Sequence, residues 1–455
     1  MSDKNTVQTL NPATGETLKT YTLLSESEIT QKIQNAENAF QDWKKTSFEE
    51  RSEKFRKLSL LLKDKKDSLA KLMTEEMGKP ITQSKSEVEK CAWLCDFYAE
   101  KAEDFLSPVS KKSDGSEAYV RYDPLGVILA VMPWNFPFWQ VFRFAVPSLM
   151  AGNVGVLKHS SNSFGAGEAM ESLFLEAGFP KNVFQNLLIS GKQVKQVLEN
   201  DHVKAATLTG SEAAGASVAE IAGKNIKKTV LELGGSDPFI VLADADIEMA
   251  AKTAVTARTQ NSGQSCIAAK RFIVLEEVYD KFVEAFKKEM ATLKMGNPMD
   301  ENTDVGSQAR EDLAKELEEQ VQKSVEKGAK IILGGKRDKA FFEPTILIDV
   351  KEGMPAFDEE LFGPVAAVIK AKDEHHALEL ANNSEFGLGS SLWTANLEKA
   401  REIASKIESG SVFINGMVKS DPRLPFGGIK KSGYGRELST NGIHEFVNIK
   451  TVWIA

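Results

Sequence analysis

Apolar positions along this chain change their period more than once. Over residues 25–106 they recur every three or four places, as at Phe55, Leu58, Leu61 and Leu62, which predicts helices, and Gly78-Lys79-Pro80 breaks the run. Ahead of it, residues 7–22 read as short strands around the turn Asn11-Pro12-Ala13-Thr14-Gly15. Residues 115–122 read as a short polar strand. The character changes at residues 126–132, a continuous apolar run suited to a buried parallel strand. Helical spacing follows over 139–150, strand-like residues over 154–157, helices over 165–177 and 193–199, a strand over 206–209 and a helix over 212–223. After Glu232 the alternation begins again. Strands are predicted from Phe239, Phe272, Ile331, Thr345, Val365 and Ser411, and helices near Ile247, Val278, Glu311, Glu374 and Leu397. Strand alternating with helix predicts parallel sheets, here two open α/β blocks meeting near Glu232, where a cleft between domains is expected. The tail, residues 443–453, reads as a strand.

Composition adds bounds to this picture. A chain of 455 residues is too long for one core and fits about two to four domains. At 42% hydrophobic and 27% charged residues it has the make-up of an ordinary soluble globular protein. A net charge of -8 argues against a nucleic-acid footprint. The three cysteines, Cys91, Cys95 and Cys266, make no disulfide framework and point to a reducing compartment; Cys91 and Cys95 fall on one helix face. No apolar run reaches the roughly 18–20 residues that span a bilayer, and residues 1–12 lack the order of a secretion signal. The expectation is a cytoplasmic protein without membrane contact. His159, His202, His375, His376 and His444 show no ligand spacing, so no metal is expected.

The chemistry gathers between Leu231-Glu232-Leu233-Gly234-Gly235 and Asn261-Ser262-Gly263-Gln264-Ser265-Cys266. A thiol attacks a carbonyl as the thiolate, and a carboxylate can serve as base for the thiol or for water. Pro133-Trp134-Asn135-Phe136-Pro137 follows a buried strand, and its prolines stiffen a loop whose asparagine amide can meet developing negative charge. Thr209-Gly210-Ser211 opens a helix, a natural phosphate site, although serine is also a common N-cap. No G-x-G-x-x-G occurs, which disfavours an ordinary Rossmann dehydrogenase.

Taken with Glu360-Leu361-Phe362-Gly363-Pro364 and the glycine-rich segment over residues 425–437, these motifs resemble the aldehyde dehydrogenase superfamily, and most closely its short succinate-semialdehyde dehydrogenase branch. The resemblance covers nearly the whole chain. It implies residues 1–106 and 125–231 as the cofactor-binding domain, 232–436 as the catalytic domain, and 107–124 with 437–455 as a small β oligomerisation flap and tail, the tail pairing with a neighbouring subunit's flap. A homodimer or homotetramer is expected. The resemblance also implies Cys266 as nucleophile, Glu232 as general base, and Asn135 with the Cys266 N–H as oxyanion hole. The implied cofactor residues are Trp134, Lys158, Ser161, Ser211, Glu212, Leu233, Glu360 and Phe362. Ser161 stands where relatives preferring NAD often carry a glutamate, so NADP is expected to be preferred and NAD possible. His159 replaces the proline usual after that lysine.

The expected reaction oxidises succinate semialdehyde to succinate through a cysteine thiohemiacetal and thioester. Alternatives are another small aldehyde, such as glutarate semialdehyde or an aliphatic aldehyde, a CoA-dependent acylating relative, and a catalytically silent binding protein. Arg143 is expected to hold the substrate carboxylate, with Trp139, Ser420 and Phe426 around it, against the plainer reading of a structural arginine paired with an acid. Some relatives carry a second arginine six residues before the nucleophile; here that position is Gln260.

Overall fold

Two sheets carry most of the chain in the computed structural model, which describes residues 5–455. The first holds six strands in the order Gly433–Tyr434, Lys228–Glu232, Val203–Thr209, Val127–Met132, Val154–His159 and Phe184–Asn186. All neighbours in it are parallel except Gly433–Tyr434, which runs antiparallel against Leu231 and Glu232. The glycine-rich segment grouped with the second block from sequence thus reaches back into the first sheet. Its core is the apolar run foreseen at residues 126–132, packed with the long helix Ile81–Leu106 and the helix Trp139–Met150. Cys91 and Cys95 lie fully buried within it.

The second sheet has seven strands, ordered Lys330–Leu333, Thr345–Ile348, Val365–Ala371, Ala269–Leu275, Asp237–Val241, Gly389–Trp393 and Ser411–Ile414. Only Lys330–Leu333 is antiparallel to its neighbour. Sequence periodicity did not predict Gly389–Trp393, although it sits between two other strands and is buried throughout. Its Gly-Ser-Ser composition reads as a loop because small side chains leave no apolar signal.

Helix ends explain much of the helical half. Ser25 and Ser47 each form a capping box with a glutamate three residues on, satisfying two otherwise orphaned N–H groups. The helix Trp139–Met150 is buried along its whole length and has no side-chain cap of its own. Glu87 from the helix Ile81–Leu106 supplies one, its Oε1 accepting from the N–H groups of Phe138 and Trp139 at 2.9 Å each. A carboxylate is favoured at that end of a helix.

The third sheet pairs Val447–Ile454 with Glu117–Pro124 and Val109–Ser110, all antiparallel. This corrects the expectation for the tail. It pairs with the flap of its own chain, in register from Val447 opposite Pro124 to Ile454 opposite Glu117. The tail also opens as a helix, Ser439–His444, before the strand begins. No helix among the described residues is long and apolar enough to cross a membrane, and no group of metal-ligating side chains occurs among them.

Candidate active site

The loop before Cys266 is held by its backbone more tightly than by any regular element. Asn261, Ser262 and Gly263 adopt φ values of 56°, 54° and 76° in succession, a left-handed run that costs a non-glycine residue energy and persists only where the surroundings fix it. They do so here. The Asn261 amide donates to the carbonyls of Asn135 and Gln264, Gly306 N donates to Ser262 Oγ, and Arg258 Nη2 donates to the Gly263 carbonyl at 2.6 Å. Gly263 could be nothing larger, since a Cβ there would lie 2.2 Å from the Gly363 carbonyl oxygen. Behind the nucleophile, Lys270 Nζ donates to the Ser265 and Cys266 carbonyls at 2.9 and 2.6 Å.

Asn135 faces this loop from the stiffened turn after Val127–Met132. Its Nδ2 donates to the Gln264 carbonyl at 3.0 Å, which leaves one amide hydrogen for a substrate oxygen. Its Oδ1 accepts from Gln140 Nε2 at 2.9 Å, fixing which way the amide points. Gln140 in turn accepts from Arg143 Nη2 at 3.3 Å. Sequence reasoning missed Gln140, one turn along a helix already marked for Arg143.

Cys266 is half-buried where two cavities meet. One, of about 340 Å³, gathers Cys266, Gln140, Trp139, Arg143, Ser420 and Phe426. The other, of about 650 Å³, gathers Asn135, Trp134, Ser211, Glu212, Leu233, Glu360 and Phe362 around the same thiol. Two expected cofactor residues stand outside the lining of both: Lys158 is half-buried at the end of Val154–His159, and Ser161 is exposed just beyond it. His159, the departure from proline, ties that strand to the neighbouring loop. Its Nε2 lies 2.9 Å from the Pro137 carbonyl, while Ser160 N donates to Nδ1.

The larger cavity suits a dinucleotide. Trp134 and Phe362 meet edge to face across it, centroids 5.7 Å apart. Glu360 is held by Lys270 at 3.0 Å and by Gly235 N at 3.1 Å, ready to accept from ribose hydroxyls. Thr209 Oγ1 is buried without a hydrogen-bond partner, and Ser211 caps the helix Glu212–Lys224 beside it, giving donors for phosphate oxygens.

Glu232 belongs to neither lining. It is 2% exposed, with both carboxylate oxygens unpartnered, beneath Gly427, where a Cβ would come within 2.6 Å of its Oε1. Burial pushes its pKa well above the ordinary carboxylate value, and Glu437 adds to this while Arg143 opposes it. The Cys266 thiol is likewise pushed up to about 12 by burial, with Arg143 and Lys270 pulling it down. Burial thus disfavours the charged form of both nucleophile and base. Arg143 does not stand alone: its Nε is 2.8 Å from Glu437 Oε2, both side chains are buried, and its guanidinium lies 4.5 Å above the Phe426 ring.

A half-buried thiol and an oriented amide meet at the edge of a large cleft, with a desolvated carboxylate held outside it, and the wider comparison agrees with them. The family model described as "Aldehyde dehydrogenase family" matches residues 1–452. A succinate-semialdehyde dehydrogenase (NADP(+)) 1 of Mycobacterium tuberculosis is 51% identical over 455 residues, covering 99% of this chain and all of that protein. The Mycobacterium leprae protein of like description is also 51% identical. In three dimensions the chain matches the crystal structure of succinic semialdehyde dehydrogenase from Streptococcus pyogenes in complex with NADP+ at a TM-score of 0.96 and 40% identity, over 98% of this chain and 99% of that one. On both the site and its relatives, this chain is a member of the aldehyde dehydrogenase family.

Proposed function

We propose that the protein oxidises succinate semialdehyde to succinate with NADP as acceptor. The observation that carries this reading is the smaller cavity, where the Cys266 thiol shares one lining with cationic side chains and the Ser420 hydroxyl, a setting for an aldehyde bearing its own carboxylate. The names of the similar mycobacterial and streptococcal proteins support the same substrate and cofactor. Ser161 offers a hydroxyl where a carboxylate would repel a 2′-phosphate, and Lys158 beside it carries a complementary charge.

In this reading Cys266 gives up its thiol proton to solvent and bonds as the thiolate to the aldehyde carbon, while the free Asn135 amide hydrogen and the Cys266 N–H hold the oxygen as it becomes an oxyanion. The nicotinamide, when bound, supplies the hydride acceptor. Glu360 and Lys270 orient the ribose side of the cleft, and Trp134 and Phe362 wall it. Glu232 turns from beneath Gly427 toward Cys266 and takes the proton of the water that hydrolyses the thioester. The chain works as a homodimer or homotetramer joined through the flap, a reading supported by Ile449, Trp453 and Ile454, exposed on its sheet. Three free thiols fit a reducing, cytoplasmic setting.

Steady-state assays of succinate semialdehyde and butanal, each with NADP and with NAD and without CoA, test the proposal. The expected result is the highest kcat/KM for succinate semialdehyde with NADP and free succinate as product. Activity that requires CoA, or equal activity on butanal, would overturn it.

A further inference from the structure

Lys90 is a largely enclosed cation of the smaller cavity whose charge the described fold leaves unanswered, whereas Lys419, which also lines it, is exposed to solvent. It projects from the helix Ile81–Leu106 onto the same cavity as Cys266, and no carboxylate among the described residues forms an ion pair with it. Its Nζ donates to Ser420 Oγ at 2.9 Å and lies 4.2 Å from the Trp139 ring centroid. The contrast with the neighbouring cations is plain. Arg143 is matched by Glu437 at 2.8 Å. Arg423 is matched by Asp421 through two hydrogen bonds, which also occupies the nearest acid of the adjoining loop. A mostly desolvated ammonium without a counter-ion costs free energy, and folds retain one where a ligand completes it.

The hydrogen-bond inventory points the same way. Ser420 Oγ accepts from both Lys90 and Trp139 Nε1, each at 2.9 Å, so its lone pairs are used and its own hydrogen is left to donate. Lys90 has three N–H donors and spends one on Ser420. The cluster therefore presents several donors and no acceptor, which is the complement of a carboxylate. Gln260, a neutral residue, lines the same cavity from the nucleophile's loop, so the positive charge beyond Arg143 comes from Lys90 on the helix and from the exposed Lys419.

We propose that Lys90, with the Ser420 hydroxyl, binds the terminal carboxylate of the substrate and sets the preference for ω-carboxylated over uncharged aldehydes. This rests on the reading that the cavity takes a carboxylated aldehyde, and adds a second cation to Arg143, whose charge Glu437 already offsets. The arrangement also carries a pH signature. Burial first, and then Arg143, lower the Lys90 pKa to about 8, against the opposing pull of Cys91, Glu87 and Asp421; Lys419 faces the same space from the loop. Lys90 is charged below about pH 8 and loses its charge above it, so the hold on a carboxylate weakens as pH rises through that value.

The test measures kcat/KM for succinate semialdehyde and for butanal, from pH 6.5 to 9.5, in the wild type, Lys90→Met and Lys90→Arg. In the wild type the ratio of the two values should be high and fall above about pH 8. Lys90→Met should lower the ratio on the order of 10–100-fold at pH 7, the worth of a charge-assisted hydrogen bond, and flatten its pH profile. Lys90→Arg, which stays charged, should keep much of the ratio and lose the fall at high pH. A ratio unchanged in Lys90→Met, or a fall above pH 8 that persists in both variants, would overturn the assignment. A wild type that does not discriminate between the aldehydes would instead defeat the substrate reading beneath it.

Discussion

Glu437 acts on two residues at once. It neutralises Arg143 and it raises the pKa of Glu232, whose own burial already disfavours charge. Glu232 must be ionised to take a proton from water, so thioester hydrolysis should speed up as pH rises through its elevated pKa. Replacing Glu437 by Gln removes a like charge and frees Arg143 to favour the ionised base, and both effects act downward. In Glu437→Gln the acid limb of the hydrolysis rate, followed after rapid mixing, should move to lower pH; an unmoved limb would show that the two carboxylates do not interact. His159 offers a second reading at this scale. Burial lowers its pKa to about 4, so its protonation favours the unfolded chain, and the stability present above its unfolded value of 6.5 is lost as pH falls toward 4. Glu76, raised to about 8, and Asp237, raised to about 7, act in the opposite sense, since protonation favours their folded forms. The stability difference between wild type and His159→Leu should therefore shrink by about 2–3 kcal/mol from pH 7.5 to pH 4.5 in urea titrations. A constant difference would mean that His159 is not buried as the neutral ring.

At the scale of elements, the helix Trp139–Met150 is set by a pair from another helix. Lys79 and Glu87 are buried together, and Glu87 also caps that helix through Phe138 and Trp139. Glu87→Gln leaves Lys79 without its partner, so a loss of about 3–5 kcal/mol in unfolding free energy is expected. Lys79→Met with Glu87→Gln should recover part of it. Equal losses in the single and double variants would place the cost in the cap alone. This pair also marks how much the sequence disclosed. Period and apolar runs revealed most helices and most strands, because each buries a face that repeats along the chain. The motif residues Asn135, Glu232, Cys266, Glu360 and Phe362 were legible from their resemblance to known segments. Glu87, Gln140 and Lys90 were not, since each depends on what a distant element brings beside it, and a lysine on a helix reads by default as solvated. Gly389–Trp393 escaped for the opposite reason, having too few large apolar residues to register.

For the whole molecule, the site exists only because the blocks interlock: Asn135 comes from the first, Cys266 from the second, and Gly433–Tyr434 carries the glycine-rich segment back to the first beside Glu232. On the flap, Ile449 and Trp453 are more than half exposed, at 61% and 51%. On the proposed assembly through this face, Ile449→Lys with Trp453→Lys should give a lighter species than the wild type in sedimentation velocity, and an unchanged mass would exclude this face as the contact. The central claim is that one thiol, Cys266, carries the acyl group that Glu232 helps water to release. Peptide mass mapping of Glu232→Gln, quenched in acid shortly after mixing with succinate semialdehyde and NADP, tests it most directly. The account predicts a succinyl thioester on Cys266 that accumulates in step with cofactor reduction. Cofactor reduction with Cys266 unmodified, or the acyl group found on another residue, would contradict it.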